Sequence, residues 1–118
     1  MTRPDNSMPI LDPPVTVSNP SRSISVQTTQ GFATHVNLTP AALSGVTEAE
    51  LAAEIVDVAR FSRARDMANR ADRMVAERVA DGDNEAECRT TLHRVNHLPT
   101  HAQVDESYAA HYQSERDT

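Results

Sequence analysis

Hydrophobic and polar residues alternate in three short segments near the start of the chain, at 15–18, 24–27 and 32–38. A period of two residues is typical of a strand with one buried face. Turn-forming residues separate the segments, with Asn-Pro-Ser-Arg at 19–22 and Gln-Gly at 30–31. The pattern therefore predicts a three-stranded antiparallel meander. The buried face of its third strand is predicted to carry Phe32, Val36 and Leu38.

A long helix is predicted directly after the meander. Thr47 and Glu50 have the spacing of a capping box, in which each side chain bonds the other residue's backbone amide. No proline or glycine follows until Gly82, which suits the residue just beyond a helix end. The helix is therefore expected to extend over about 35 residues, or roughly 50 Å at 1.5 Å per residue.

Shorter helices are predicted in the C-terminal third. Asn84 is a suitable cap for one helix, whose apolar stripe is expected at Cys88, Leu92 and Val95. Pro99 ends that helix, and Thr100 begins another. The fold class is thus α+β. We predict a disordered proline-rich arm at 1–14, a β-β-β-α core at 15–81, a helical region at 82–113 and a disordered tail at 114–118.

The distal half of the long helix carries an apolar stripe that a short sheet cannot reach. Strands of this length span only about 20 Å, less than half the predicted helix. We therefore predict a partner-binding surface, which either a second copy or a helical client protein would cover. The methionines in it suit an adaptable contact. The residues of this distal stripe are Phe61, Ala64, Met67, Ala68, Ala71, Met74, Val75 and Val79.

Composition limits the possible partners. The chain has 118 residues and a net charge of −6, which disfavours nucleic acid and anionic membranes. Aromatic residues make up 3% of the sequence, so the core is thin and a homodimer is expected to complete it. No apolar run reaches the roughly 20 residues of a membrane span. Cys88 is the single cysteine, which fits a reducing compartment, and a cytoplasmic location is expected.

Little in the sequence indicates catalysis. His93, His97 and His101 recur every four residues near Cys88, and two of them on one helix face could hold a metal. Pro99 interrupts the series, so polar surface histidines are favoured. No phosphate-binding glycine loop or nucleophile motif occurs. We therefore expect no enzyme, no metal, no cofactor and no small-molecule substrate.

The segment order V-T-V-S-N-P, S-I-S-V, a glycine turn, H-V-N-L and T-E-A-E-L-A-A-E-I resembles the mycobacterial EspD and EspH proteins. The resemblance covers most of 15–79. It implies a cytosolic accessory chaperone or adaptor that stabilises substrates of the type VII (ESX) secretion system or helps to export them. The export signature Tyr-x-x-x-Asp/Glu is not met at Tyr108 or Tyr112, which favours a helper over a secreted effector, although export of the chain itself stays open. The strand-strand-strand-helix order is also similar to that of YbaB-type nucleoid proteins, so a DNA-binding dimer is the alternative.

Overall fold

The structure is a computed structural model, and it describes residues 12–116, with side chains up to residue 113. Its strands are β1 (Val15–Ser18), β2 (Ile24–Thr29) and β3 (Phe32–Leu38), and a 3-10 turn follows at Pro40–Leu43. Its helices are α1 (Glu48–Ala80), α2 (Glu85–Thr90), a π turn at Thr91–Val95 and α3 (His101–Arg116). The predicted α+β class is confirmed. The predicted arm at 1–14 and tail at 114–118 lie mostly outside the described residues.

The sheet is an antiparallel meander in the order β1-β2-β3. Asn19 closes the first hairpin, because its side-chain oxygen accepts a hydrogen bond from the Ile24 amide at 3.1 Å. Gln30 and Gly31 make the second turn with φ angles of 52° and 86°. Two positive φ angles are typical of the two-residue turn that matches strand twist, and glycine adopts this conformation readily.

A bulge in β3 changes the predicted faces of that strand. Val36 lies opposite Val26, but Phe32 lies opposite Thr29, since the register shifts by one residue between these pairs. Directly opposed residues share a face of the sheet. Phe32 therefore does not share a face with Val36 and Leu38, and that prediction is wrong because one inserted residue reverses the alternation.

The meander packs against the first half of α1. Thr47 and Glu50 form the predicted capping box, with hydrogen bonds of 3.0 and 2.8 Å. Deeper along α1, the Ser62 hydroxyl lies 2.6 Å from the hydroxyl of Thr28, and the Asp66 carboxylate accepts from the Gly31 amide at 2.9 Å. The main apolar cluster joins the sheet, the 3-10 turn and the helix through Ile24, Val26, Ala42 and Val58.

The chain after α1 folds back along it. Phe61 of α1 packs against Tyr108 and Tyr112 of α3, with ring centroids 5.4 and 5.9 Å apart. Val104, also on α3, is buried. Three of the four Phe and Tyr residues are thus concentrated at one helix–helix contact, where they stabilise the packing of α3.

The π turn alters the predicted stripe of the preceding helix. Leu92 is buried as expected, but Val95 is 65% exposed. A π turn adds a residue to the helical repeat, so later side chains rotate away from the face that an α-helix would give them. The prediction for Val95 is wrong for this reason.

Asp12 lies against α1 before the first strand begins. It is 5% exposed and its carboxylate bonds Arg73 at 2.5 Å, with Arg70 3.6 Å away. A buried carboxylate requires such partners to replace its lost hydration. The packed region therefore includes Asp12, three residues earlier than the predicted boundary at Val15.

Candidate protein-binding surface

The distal stripe of α1 is largely covered by the chain itself. Phe61, Ala68, Ala71 and Val75 are each at most 5% exposed. These four residues therefore do not stay open as predicted. The sheet contacts α1 as far as Ser62 and its second turn reaches Asp66. Tyr108 and Tyr112 of α3 pack on Phe61, a long-range contact that helical periodicity does not predict.

The remaining stripe residues are more accessible. Ala64, Met67 and Met74 are half-buried, and Val79 is exposed near the end of α1. Ala64 borders a hollow of about 400 Å³ between α1 and α3. Met74 borders another, of about 290 Å³, beside α2. The structure thus divides the predicted surface into a buried part and separate accessible edges.

The largest departure from the predicted burial lies at β3, where every residue is exposed. Phe32 is 75% exposed, Val36 46% and Leu38 41%. Their neighbours Val26 and Ile24 on β2 are almost fully buried, so α1 covers β2 much more completely than it covers β3. The third strand therefore presents apolar side chains together with an open backbone edge.

The opposite edge of the sheet, at β1, is occupied by other parts of the chain. The Ser18 carbonyl accepts a hydrogen bond from the Tyr108 hydroxyl at 2.6 Å, and the Val15 carbonyl accepts one from Ser62 at 3.3 Å. Pro13 and Pro14 precede this strand and have no amide hydrogen to donate. Side chains and prolines thus restrict strand pairing at β1.

A second apolar area lies in the connector between β3 and α1. Leu43 is 57% exposed and Val46 is 43% exposed. Val46 borders a hollow of about 320 Å³, which Ile24, Ala42 and Leu51 also line. We call Leu43, Val46 and this hollow the connector surface. It offers two exposed aliphatic side chains and a depression whose lining also includes Asn19, Ser23, Glu50 and Glu54, so a partner would find both apolar and polar contacts there.

Charged residues are absent from the sequence of β3 and of the connector. No Asp, Glu, Lys or Arg occurs between Arg22 and Glu48, although 24% of the chain is charged. The segment includes all of β3 and the connector. The uncharged stretch is visible in the sequence and indicates β3 as an accessible surface in place of α1. Hydrophobic periodicity alone does not reveal it.

The histidine series does not form a shared site. His93 Nδ1 lies 2.8 Å from the Leu98 carbonyl oxygen. His101 lies between Arg65, 2.6 Å from its Nδ1, and Asp72, 3.1 Å from its Nε2. Arginine can only donate, so His101 Nδ1 accepts and Nε2 carries the hydrogen directed at Asp72. Both nitrogens of His101 are thus engaged in joining α3 to α1.

Cys88 is half-buried beside α1.

Within residues 12–113, one set of three potential metal ligands converges, at Glu54, Asp57 and His111, whose ligand atoms lie within 4.8 Å of one another. His111 Nε2 is 3.2 Å from Asp57, and Asp57 also accepts from Arg60 at 3.2 Å. These contacts are those of an ion-paired seam between α1 and α3. Burial of Tyr108 raises the pKa of its hydroxyl above the ordinary value, and the negative charge of Glu54 raises that pKa further.

The arginines of the helices are mostly matched by carboxylates. Arg65 pairs with Asp105, and Arg89 pairs with both Asp72 and Glu85. Arg60, Arg70, Arg73 and Arg78 also have acidic partners within 4.0 Å. Paired arginines give a weaker positive field than free ones, so α1 offers a poor surface for phosphate backbones.

Comparison with known proteins gives no relative: no protein-family model matches the chain, and neither a curated protein nor a solved structure matches it. None of the helices between residues 12 and 116 combines the length and apolar character needed to cross a membrane.

Proposed function

We propose that this chain is a non-enzymatic accessory chaperone or adaptor that binds a client protein on the connector surface. The client contributes an apolar side chain to the 320 Å³ hollow, and Leu43 and Val46 pack beside it. Contact of this kind holds an aggregation-prone chain without acting on it chemically. The protein works in the cytoplasm, before any export of its client.

The observation that carries the proposal is the exposed apolar character of the connector. Leu43 and Val46 are about half exposed in a segment without any charged residue. Isolated exposed aliphatic residues are common, but exposed aliphatic residues close together in sequence, with a partly apolar hollow at one of them, are typical of interaction sites. A helix is the expected form of the client segment, since its apolar residues at i and i+3 or i+4 match a compact depression.

The class of client is proposed from the resemblance to EspD and EspH. The order of strands, turns and helix start in 15–79 supports a substrate of the type VII secretion system. This part of the proposal rests on the sequence resemblance alone. The connector surface supports the broader part, which is the binding of another protein.

Deletion of the gene tests the proposal in the bacterium that carries it. We expect the level of one or a few type VII substrate proteins to fall while their transcripts stay constant. The wild-type gene should restore them, but Leu43→Asp and Val46→Asp should not, because a carboxylate would be buried against the client. Protein levels are measured by quantitative mass spectrometry and transcripts by sequencing.

Val95→Asp is the matched control, because Val95 is also an exposed aliphatic residue but lies far along the chain, in the π turn. It should restore the substrates as well as the wild-type gene does. Each variant should keep its wild-type circular dichroism spectrum, since exposed substitutions rarely change stability by more than about 0.5 kcal/mol. Unchanged substrate levels after deletion would count against the chaperone proposal. Submicromolar DNA binding near physiological salt would instead favour the YbaB-like alternative.

A further inference from the structure

We propose that β3 is a self-association strand: its open edge pairs antiparallel with β3 of a second copy, which gives a six-stranded sheet across a two-fold axis. The inference goes beyond the client proposal and does not require a client. It also differs from a dimer built on the distal stripe of α1, whose central residues the chain itself buries.

The first argument is the condition of the edge. Monomeric proteins block a long exposed edge with lysine, proline or an inward-pointing charge. The seven residues of β3 include none of these. Its bulge lies near the turn, and the stretch from His35 to Leu38 pairs regularly with β2. This stretch therefore leaves alternate backbone amides and carbonyls directed outward, ready to pair with another strand.

The second argument is charge, and it selects a second copy as the occupant. The chain has a net charge of −6, so two copies repel each other when charged faces meet. The segment between Arg22 and Glu48 has no acidic or basic residue, so two copies that meet through this segment place no like charges of the segment against each other. A partner chosen by opposite charge would find no complementary charge on this strand. An uncharged edge is complementary to itself.

The third argument is symmetry. Antiparallel pairing of identical strands is isologous, so each contact occurs twice and the assembly closes as a dimer. On the inner face, Val36 and Leu38 extend the apolar surface of Val26 and Ile24 beyond the flank of α1. In the dimer they meet the same residues of the second copy. The exposed apolar area of Val36 and Leu38 is then removed from water in both copies.

The expected affinity is modest. A pair of seven-residue strands buries less than the roughly 800 Å² per partner of a standard interface. We therefore expect a Kd on the order of 10 µM. Analytical ultracentrifugation of the purified full chain from about 1 to 200 µM should show conversion from 12.9 kDa to twice that mass, with no larger species.

Val36→Lys tests the location of the contact, because it places like charges near each other across the two-fold axis. We expect the Kd to rise about 100-fold, to roughly 1 mM, so that most of the protein is monomeric at 200 µM. Asn37→Lys should act in the same direction without removal of an apolar group, so it remains informative if Val36→Lys unfolds. Val56→Lys is the control, since Val56 is 64% exposed on α1, and it should dimerise as the wild type does.

Hydrogen exchange adds a second readout. In the wild-type protein, amides of β3 should exchange more slowly at 200 µM than at 1 µM, and Val36→Lys should remove that dependence on concentration. A wild-type monomer at 200 µM would overturn the proposal. So would a dimer that survives both lysine variants, or a series of masses that continues beyond the dimer.

Discussion

The two edges of the sheet differ in what surrounds them. At β1, side chains from two helices donate hydrogen bonds to the backbone carbonyls of Ser18 and Val15. At β3, contact with α1 is sparser and all seven residues are exposed. Both are edge strands of one meander, and both have alternating sequences. The difference arises because α3 returns on the β1 side of α1, where Phe61, Tyr108 and Tyr112 pack together.

In this chain with a thin core, the two sides of the sheet differ in function as well as in packing: the β1 side contributes more to stability, and the β3 side remains accessible. The aromatic contact stabilises the β1 side through burial. The β3 side is held by its pairing with β2, by its turn and by the hydrogen bond from the Gly31 amide to Asp66. Regions with few buried contacts open at low free-energy cost and are the usual places for binding. The next three predictions test this contrast, from the largest effect to the smallest.

Phe61→Ala should have the largest effect. It removes a buried ring from its contacts with Tyr108 and Tyr112, and we expect the free energy of unfolding to fall by about 3–5 kcal/mol. Phe32→Ala makes the same chemical change at the open edge, where the ring is 75% exposed, and should cost less than about 0.5 kcal/mol. Urea denaturation at low micromolar concentration measures both. Similar losses for the two variants would contradict the contrast between the edges.

Asp66→Ala should have an intermediate effect, of about 1–3 kcal/mol, because the half-buried Gly31 amide loses its acceptor. The loss should be local to the β3 side, so the amides of Gly31 and β3 should exchange faster while those of β1 change little. Asp66→Asn is the matched control, since its side-chain carbonyl can still accept the bond. Equal acceleration of exchange in both variants would show that the carboxylate charge matters and not the hydrogen bond.

Tyr108→Phe should have the smallest effect, near 1 kcal/mol, through loss of the hydrogen bond to the Ser18 carbonyl. The pKa of Tyr108 is raised above its ordinary value of 10.0, first by burial and then by Glu54. Between the unfolded-state pKa and this higher folded-state pKa, the folded chain binds more protons. The free energy of unfolding should therefore fall as pH rises above about 10. Urea denaturation at two pH values should show a smaller fall for Tyr108→Phe; an equal fall would exclude Tyr108 as its source.

Much of the fold could be predicted because its signals are local. The turn at Gln30–Gly31, the capping box at Thr47 and the helix start at Asn84 each depend on a few neighbouring residues, and all three are confirmed. The faces of Phe32 and Val95 were predicted wrongly, since a bulge and a π turn each change a period by one residue. Such irregularities depend on packing and have weak sequence signals.

The sequence by itself determined the elements, their order and the uncharged character of the segment between Arg22 and Glu48, because composition and short-range hydrogen bonding act within a few residues. Only the tertiary structure decided which apolar residues stay accessible. The sequence contains both the distal stripe of α1 and the apolar positions of β3, and either could have been covered. The return of α3 along α1 buried Phe61 and left Val36 exposed, since that contact joins residues about 50 positions apart and no local pattern specifies it.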